Sequence, residues 1–475
     1  MGKVSARAHR FLRSALAGYG GFLSTKDLFS WLQERGERNQ LRVERVPFAA
    51  LTQWSFEADS GDLVHRSGKF FRVHGVRVHS SLGPVPDWDQ PIIDQPEIGI
   101  LGIIAKEFDG VLHFLMQAKV EPGNVAGVQL TPTVQATRSN YTQVHQGARP
   151  PYVDYFLDRC QATVLVDQLQ PEQGSTFLRK RNRNIIVEAT GDVPVEDEHQ
   201  WMTLGQIQRL LNVPNLVSMD ARTVLSCIPL AVRGASRLLD SGKNPLAVSP
   251  FGTALLESMT ESGGAAHNDE QILGWLTDLK CRHQLRVERL ATKSLQGWTH
   301  GDDRIVHDAG RYFEVMAVHV EGVNREVASW DQPLVAPVER GLIGFAVQRI
   351  GGVLHFLVQG KIEPGNLDVV AVAPTVQCAL GAEGAHDASC RPPFLELMDD
   401  AGPGQLRYSC IQSEEGGRFY HVENEYRVVE LPAAERLPLP ENYTWVTLRQ
   451  LTELLRFGLV NVEARSLLAC LQLVD

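Results

Sequence analysis

A chain of 475 residues that is 43% hydrophobic and 21% charged, with 41 glycines and 25 prolines, has a globular composition, which excludes a disordered, collagenous or coiled-coil architecture. Its net charge of -10 argues against a dedicated nucleic-acid binder, because a phosphate backbone demands a basic surface. Its apolar runs, such as Val111 to Leu115, fall far short of the roughly 20 residues a membrane helix needs, so no membrane association is expected.

The first element predicted is an amphipathic helix over Met1 to Leu16, where Lys3, Arg7, Arg10 and Arg13 are spread among apolar residues. A signal peptide would segregate its charges from an apolar core, so a cytoplasmic protein is expected. The seven cysteines, Cys160, Cys227, Cys281, Cys378, Cys390, Cys410 and Cys470, are dispersed without a C-x-x-C pair and read as reduced thiols, neither a disulfide framework nor a zinc site. A second helix contains Leu28 to Leu32, followed by strands over Phe70 to Val78, Ile98 to Ala105 and Val111 to Glu121. A helix over Thr203 to Leu211 with Thr203 as its N-cap closes the set. Asp240 to Pro245 and Ser249 to Gly252 supply the turn-forming residues of a linker. Beyond it the same order returns: a helix around Ile272 to Leu276, a strand over Tyr312 to Val320, and a helix over Thr447 to Leu455. A run of strands with helices at both ends predicts an α+β layer fold.

The recurrence is a duplication. Trp88-Asp-Gln-Pro91 returns as Trp330-Asp-Gln-Pro333, and from there to Gln135 and Gln377 the two copies match at 24 of 48 positions without a gap. Gln40-Leu-Arg-Val-Glu-Arg45 and Gln284-Leu-Arg-Val-Glu-Arg289 are identical. Units of this size are domains, since solenoid repeats are about 20 to 50 residues long. Two modules follow, 1–245 with the N-terminal helix and 246–475.

Side chains alternate along a strand, so Lys119 and Glu121 share a face with Cα atoms roughly 6.5 to 7 Å apart, close enough for each to tune the other. The second copy repeats the pair as Lys361 and Glu363. Two readings of this face stay open, a solvated or salt-bridged surface and a site of chemistry. Thr131, Thr133, Gln135 and Thr137 alternate as if on one side of a strand, offering hydrogen bonds to a base or sugar, and Thr375 and Gln377 are the counterparts of Thr133 and Gln135. After Gln135 the first copy carries Tyr141, His145 and Arg149, and where it holds Tyr141 and His145, two good proton-transfer groups, the second copy reads Leu380-Gly-Ala-Glu383 instead. Arg179 to Asn184, read as a strand, places Arg179, Arg181 and Arg183 on one face and Lys180, Asn182 and Asn184 on the other, either face being suited to a diphosphate. Trp88, Gln90 and Trp330 are candidate substrate contacts or structural corners. The sequence has no P-loop, no G-x-G-x-x-G, no H-E-x-x-H and no clustered Cys/His ligands, and offers no sign of a bound cofactor or metal.

The segments Trp88 to Pro91, Lys119 to Asn124, Pro132 to Thr142 and Gly174 to Asn184 together resemble the NDP-hexose 2,3-dehydratase family of deoxysugar biosynthesis. The resemblance implies a homodimer whose subunits each hold two Nudix-like modules, without the glutamate-rich box that binds metal in that superfamily. It implies a dTDP-4-keto-6-deoxyglucose substrate, and a 3-ketoreductase that takes up the unstable 3,4-diketo product. No cofactor is then required, because the C4 ketone acidifies the C3 hydrogen. Glu121 is assigned as the base, Lys119 faces the enolate oxygen, and Tyr141 or His145 is the acid. Arg179, Lys180, Arg181 and Arg183 are candidates for the diphosphate, with Thr133 and Gln135 for the nucleoside. Lys361, Glu363, Thr375 and Gln377 form an auxiliary nucleotide site or complete a partner's active site. Two rival readings are a metal-dependent diphosphate hydrolase and a non-catalytic nucleotide-sugar-binding scaffold.

Overall fold

The computed structural model describes residues 2–18, 21–138, 149–158, 161–230, 248–260, 263–323, 327–379 and 391–474. Tyr141, His145 and the expected boundary at residue 245 lie outside them.

Mixed α and β structure is repeated in the two halves. In the first, a seven-stranded sheet runs in the order Ala162–Pro171, Arg181–Ala189, Gly99–Phe108, Val111–Val120 and His199–Thr203, with the short strands Val128–Thr131 and Val134–Ala136 attached to its centre. Arg181–Ala189 runs parallel to Gly99–Phe108, and the other neighbours are antiparallel. The second half repeats this sheet around Gly341–Ile350 and Val353–Lys361.

Both faces of Val111–Val120 are covered. Leu112, Phe114, Met116 and Ala118 join a core shared with the N-terminal helix Gly2–Ala15 and the helices Thr25–Arg38 and Leu204–Leu210. Leu115, on the opposite face, packs with Trp201, Phe156 and Ile185. His113 is buried there with Nδ1 against the Val111 carbonyl at 3.0 Å, so the face that alternates polar in sequence is closed at His113 and Leu115 and partly open at Gln117 and Lys119. The Thr203 and Thr447 helices begin as the sequence predicts, each with a full capping box that uses Gln206 or Gln450.

Each half also carries a smaller antiparallel sheet, and these two sheets exchange strands. Leu41–Val46 pairs with Phe313–Gly322 of the second half, while Leu285–Leu290 pairs with Arg72–Ser80 of the first. The aspartates of the repeated Trp-Asp-Gln-Pro motif staple the exchange. Asp331 accepts from the Thr52 hydroxyl at 2.6 Å, and its carbonyl accepts from Trp54 Nε1 at 2.9 Å. Reciprocally, Asp89 accepts from Gln296 N at 3.0 Å and its carbonyl from Trp298 Nε1 at 2.7 Å.

A second seam joins the large sheets. The helices Met219–Ser226 and Val462–Ala469 face each other, and each buries an arginine that reaches across. Arg222 donates to Ser466 Oγ at 2.6 Å and the Ser413 carbonyl at 2.7 Å, while Arg465 donates to Thr223 and to the Pro171 carbonyl.

Candidate functional site

The strand Val111–Val120 delivers Lys119 to its last turn outward, and Pro122, which has no N–H to continue a ladder, ends it. The chain then turns, with Asn124 N donating to the Glu121 carbonyl at 3.1 Å. Lys119 Nζ and Glu121 Oε1 lie 2.5 Å apart, each side chain 21% exposed, so the pair is open to a ligand at one side. Lys119 Nζ also donates to Gln135 Oε1 at 3.1 Å, and Gln135 Nε2 donates onward to Asp220 in the first turn of Met219–Ser226.

Behind this pair lie the buried carboxyls of Glu172 and Asp220 and the half-buried carboxyl of Glu415. Burial raises the Asp220 carboxyl to about 7; the nearby Glu172 adds to the rise, and the Gln135 hydrogen bond and Lys119 oppose it. Glu172 is likewise raised to about 7 by burial, against the pull of Arg465 and a 2.8 Å hydrogen bond from Asn182 Nδ2. Glu415, from the second half, reaches about 7 through burial and the charge of Asp220, with Arg418 opposing. Lys180 is pulled down to about 8 by burial, with Glu172 opposing. Burial and the charges of the neighbouring carboxyls both disfavour the ionised forms here.

The site is composite because a tight loop joins the halves. Gly123 N donates to the Gly416 carbonyl at 2.7 Å, and His421 N donates to the Gly123 carbonyl at 2.9 Å. A Cβ on residue 123 would overlap the Phe419 carbonyl oxygen, so only glycine fits. The mirror loop does the same, Gly365 N donating to the Gly174 carbonyl at 2.6 Å and Arg179 N to the Gly365 carbonyl at 2.9 Å.

The equivalent cluster in the second half is wired differently. Lys361 Nζ stands 3.6 Å from Glu363 Oε1, and Glu363 is only 6% exposed at its side chain. Gln377 Nε2 donates to Glu363 at 3.0 Å, and Asn461 Nδ2 donates to Gln377 Oε1 at 2.8 Å. Behind them Glu414 accepts from Gln173 Nε2 at 2.7 Å and from Tyr426 OH at 3.2 Å, and Glu463 is raised well above its ordinary range by burial and by Glu363.

Several sequence candidates lie elsewhere or have partners of their own. The basic run is not one strand: Arg179 has a left-handed φ of 51° in a turn, and the strand begins at Arg181. Lys180 points inward and donates to the Glu97 carbonyl, Asn182 holds Glu172, and Arg183 pairs with Asp167 at 2.7 Å, so the run is not a single basic comb. Thr131 to Thr137 is not one strand either, because Pro132 breaks it into Val128–Thr131 and Val134–Ala136. Thr133 and Thr375 are buried, each hydroxyl donating to a strand carbonyl, of Leu115 and Leu357, and accepting a backbone N–H at 2.9 Å. Trp88 Nε1 donates to Gln90 Oε1 at 2.8 Å and Gln90 Nε2 to the Ser175 carbonyl at 2.9 Å, tying the motif to the loop before the basic run; Trp330 bonds Gln332 alike. Arg149 pairs with Asp154 at 2.6 Å on the surface. A surface cleft of about 460 Å³ lined by Arg304, His307, Arg311 and Glu314 includes none of these residues.

Sequence reasoning missed Glu172, Asp220 and Glu415. A signal for the first two was present: Gln170-Pro-Glu172 is matched by Gln412-Ser-Glu414, and Asp220-Ala-Arg222 by Glu463-Ala-Arg465. Among the described residues no group of three or more His, Cys, Asp or Glu side chains is arranged to hold a metal ion.

Comparison with known proteins adds a family. A family described as NDP-hexose 2,3-dehydratase matches twice, over residues 25–228 and 269–471. A dTDP-4-dehydro-6-deoxy-alpha-D-glucopyranose 2,3-dehydratase of Saccharopolyspora spinosa is 47% identical over 471 residues, 98% of this chain and 95% of that protein. Proteins of the same description from Amycolatopsis orientalis and Streptomyces violaceoruber are 47% and 44% identical, over 98% and 94% of this chain and 93% and 97% of their own lengths. Among solved structures, an Ap4A hydrolase of C. elegans is 14% identical over 25% of this chain and 86% of its own, with a TM-score of 0.17, too low to bear on the fold.

Proposed function

The chain belongs to the NDP-hexose 2,3-dehydratase family, and from that premise we propose that it removes water across C2 and C3 of dTDP-4-dehydro-6-deoxy-D-glucose, the substrate named for its relatives. The observation that carries this reading is the partly open Lys119–Glu121 pair at the mouth of a carboxyl cluster with values near 7. The ketone at C4 makes the C3 hydrogen removable, and Glu121 takes it. Lys119, held by Glu121 and Gln135, faces the oxygen on which the enolate charge develops. Departure of the C2 hydroxyl gives an enol that becomes the 3,4-diketo-2,6-dideoxy sugar.

The more exposed glutamate in the first half, Glu121 against Glu363, favours that half as the seat of chemistry, with the closed cluster around Glu363 as an auxiliary nucleotide site. Arg179, in the turn before the strand, and Arg181, the first residue of the strand, are the parts of the basic run left for the diphosphate. The helix-flanked mixed sheet in each half supports two Nudix-like modules meeting near residue 245. A homodimer and a downstream 3-ketoreductase follow from the family resemblance. A cytoplasmic location accords with the five free cysteines among the described residues, and no helix among them is long and apolar enough to cross a membrane.

The test is NMR of dTDP-4-dehydro-6-deoxy-D-glucose incubated with the protein and a 3-ketoreductase that traps the product. The C2 carbinol signal should give way to a C2 methylene, and an unchanged C2 signal would reject the activity.

A further inference from the structure

We propose that Glu415, carried by the second half, is the acid that protonates the departing C2 hydroxyl in a site whose base, Glu121, comes from the first half. The inference rests on the dehydratase reading above. It starts from how the backbone brings the two carboxyls together. The loop after Glu121 is clamped onto the second half by the Gly123–Gly416 and His421–Gly123 hydrogen bonds, and a Cβ on residue 416 would sit 3.0 Å from Glu121 Cβ. Residue 415 is one position from this contact, and its carboxyl lies near enough to Glu121 for the two charges to interact. Its Oε1 accepts from Gly417 N at 2.9 Å, which orients the carboxyl. Protein surrounds Glu415, yet the side chain is not sealed off, unlike Glu172 and Asp220 at 7% and 5% exposure.

The duplication supplies an internal control. The position equivalent to Glu415 in the first half is Gln173, whose amide donates to Glu414 beside the Glu363 cluster. An amide does not deliver a proton to a leaving hydroxyl near neutral pH, so only one of the two clusters has both a base and an acid at these positions. Glu415 faces Asp220 from the helix, Glu121 from the strand end and Arg418 from its own turn, and it bears on Glu172 and Lys180 as well. With burial and Asp220 holding it near 7, a useful fraction stays protonated near neutral pH.

The step balances. Glu121 removes the C3 proton and the electron pair passes to the C4 oxygen. The enolate collapses as the C2–O bond breaks, and the hydroxyl leaves as water with the Glu415 proton. The C2=C3 enol then takes a proton at C2 from Glu121 and yields that of its C3 hydroxyl to Glu415, which restores both carboxyls.

An acid acting after proton abstraction has a distinctive signature. In deuterated water, Glu415→Gln should still exchange the C3 hydrogen of the substrate within about threefold of wild type. Trapped dehydration should fall on the order of 10²-fold with KM little changed. Glu121→Gln should lose exchange and dehydration together. Near-normal dehydration by folded Glu415→Gln would overturn the proposal and return the acid to Tyr141 or His145. Loss of exchange in step with dehydration would also overturn it. If the glutamine variant does not fold, Glu415→Asp serves: a shortened acid should slow dehydration at least tenfold while sparing exchange, and equal effects on both refute the role. A wild-type protein that leaves both C3 and C2 untouched would reject the dehydratase reading itself.

Discussion

Lys119 and Glu121 illustrate how alternation along a strand brings two side chains together. Two residues apart they share a face, and the 2.5 Å ion pair leaves each partly exposed. Removing either charge should matter to the reaction more than to the fold: Glu121→Gln and Lys119→Met should each lower turnover by on the order of 10² or more while the thermal midpoint moves little, readable by trapped-product assay and calorimetry. Near-normal turnover in both variants would move the site elsewhere. The buried carboxyls make a different prediction. Glu172 has an ordinary value of 4.5 and is raised to about 7 by burial, so the folded chain holds that proton more tightly than the unfolded one. Its contribution to stability is complete below about 4.5 and is lost as pH rises through about 7. Glu172→Gln cannot ionise, and its melting temperature should therefore decline less than that of wild type between pH 5 and about 7.5. Parallel curves for the two proteins would show that the carboxyl is not so buried.

Elements were legible where the pattern was local. The strand Val111–Val120 and the threonine-capped helices stand within a residue or two of their sequence-predicted limits, because alternation and capping boxes are properties of contiguous residues. The misreadings also have local causes: Pro132 cannot donate to a ladder, and the left-handed turn at Arg179 delays its strand to Arg181. The carboxyl cluster was harder, since Glu121, Glu172, Asp220 and Glu415 come from four separate segments. The two glycine loops that assemble it can be tested as elements. Gly123→Ala and Gly365→Ala each place a methyl group against a carbonyl oxygen, of Phe419 and Phe177, and each should cost about 1 to 3 kcal/mol by chemical denaturation. Only the first disturbs the contact between Glu121 and the Glu415 segment. Gly123→Ala should thus lose at least tenfold more turnover than Gly365→Ala at similar stability cost, and equal losses would deny the two loops their different roles.

The exchange of Leu41–Val46 and Leu285–Leu290 was invisible in sequence for a specific reason: the two segments begin with the same Leu-Arg-Val-Glu-Arg, so each fits either half, and nothing local states which edge it joins. Its consequence concerns the whole molecule. Without the second half, Arg72–Ser80 loses the neighbour it pairs with over six residues, and fully buried Asp62 loses the 2.7 Å hydrogen bonds from Arg289 and Thr292. Arg222 loses Ser413 and Ser466 at the other seam, and the helix face that carries it loses its cover. Residues 1–245 alone should accordingly fail to form a stable monomer and should aggregate or self-associate through Leu41–Val46 of one copy pairing with Arg72–Ser80 of another. Light scattering after size exclusion distinguishes this from a monomeric domain with a cooperative melt, which would contradict the exchange. Co-expressed 1–245 and 246–475 should instead assemble one to one and recover dehydration that neither fragment shows. Activity from the first fragment alone would mean that the second half gives the reaction no side chain at all.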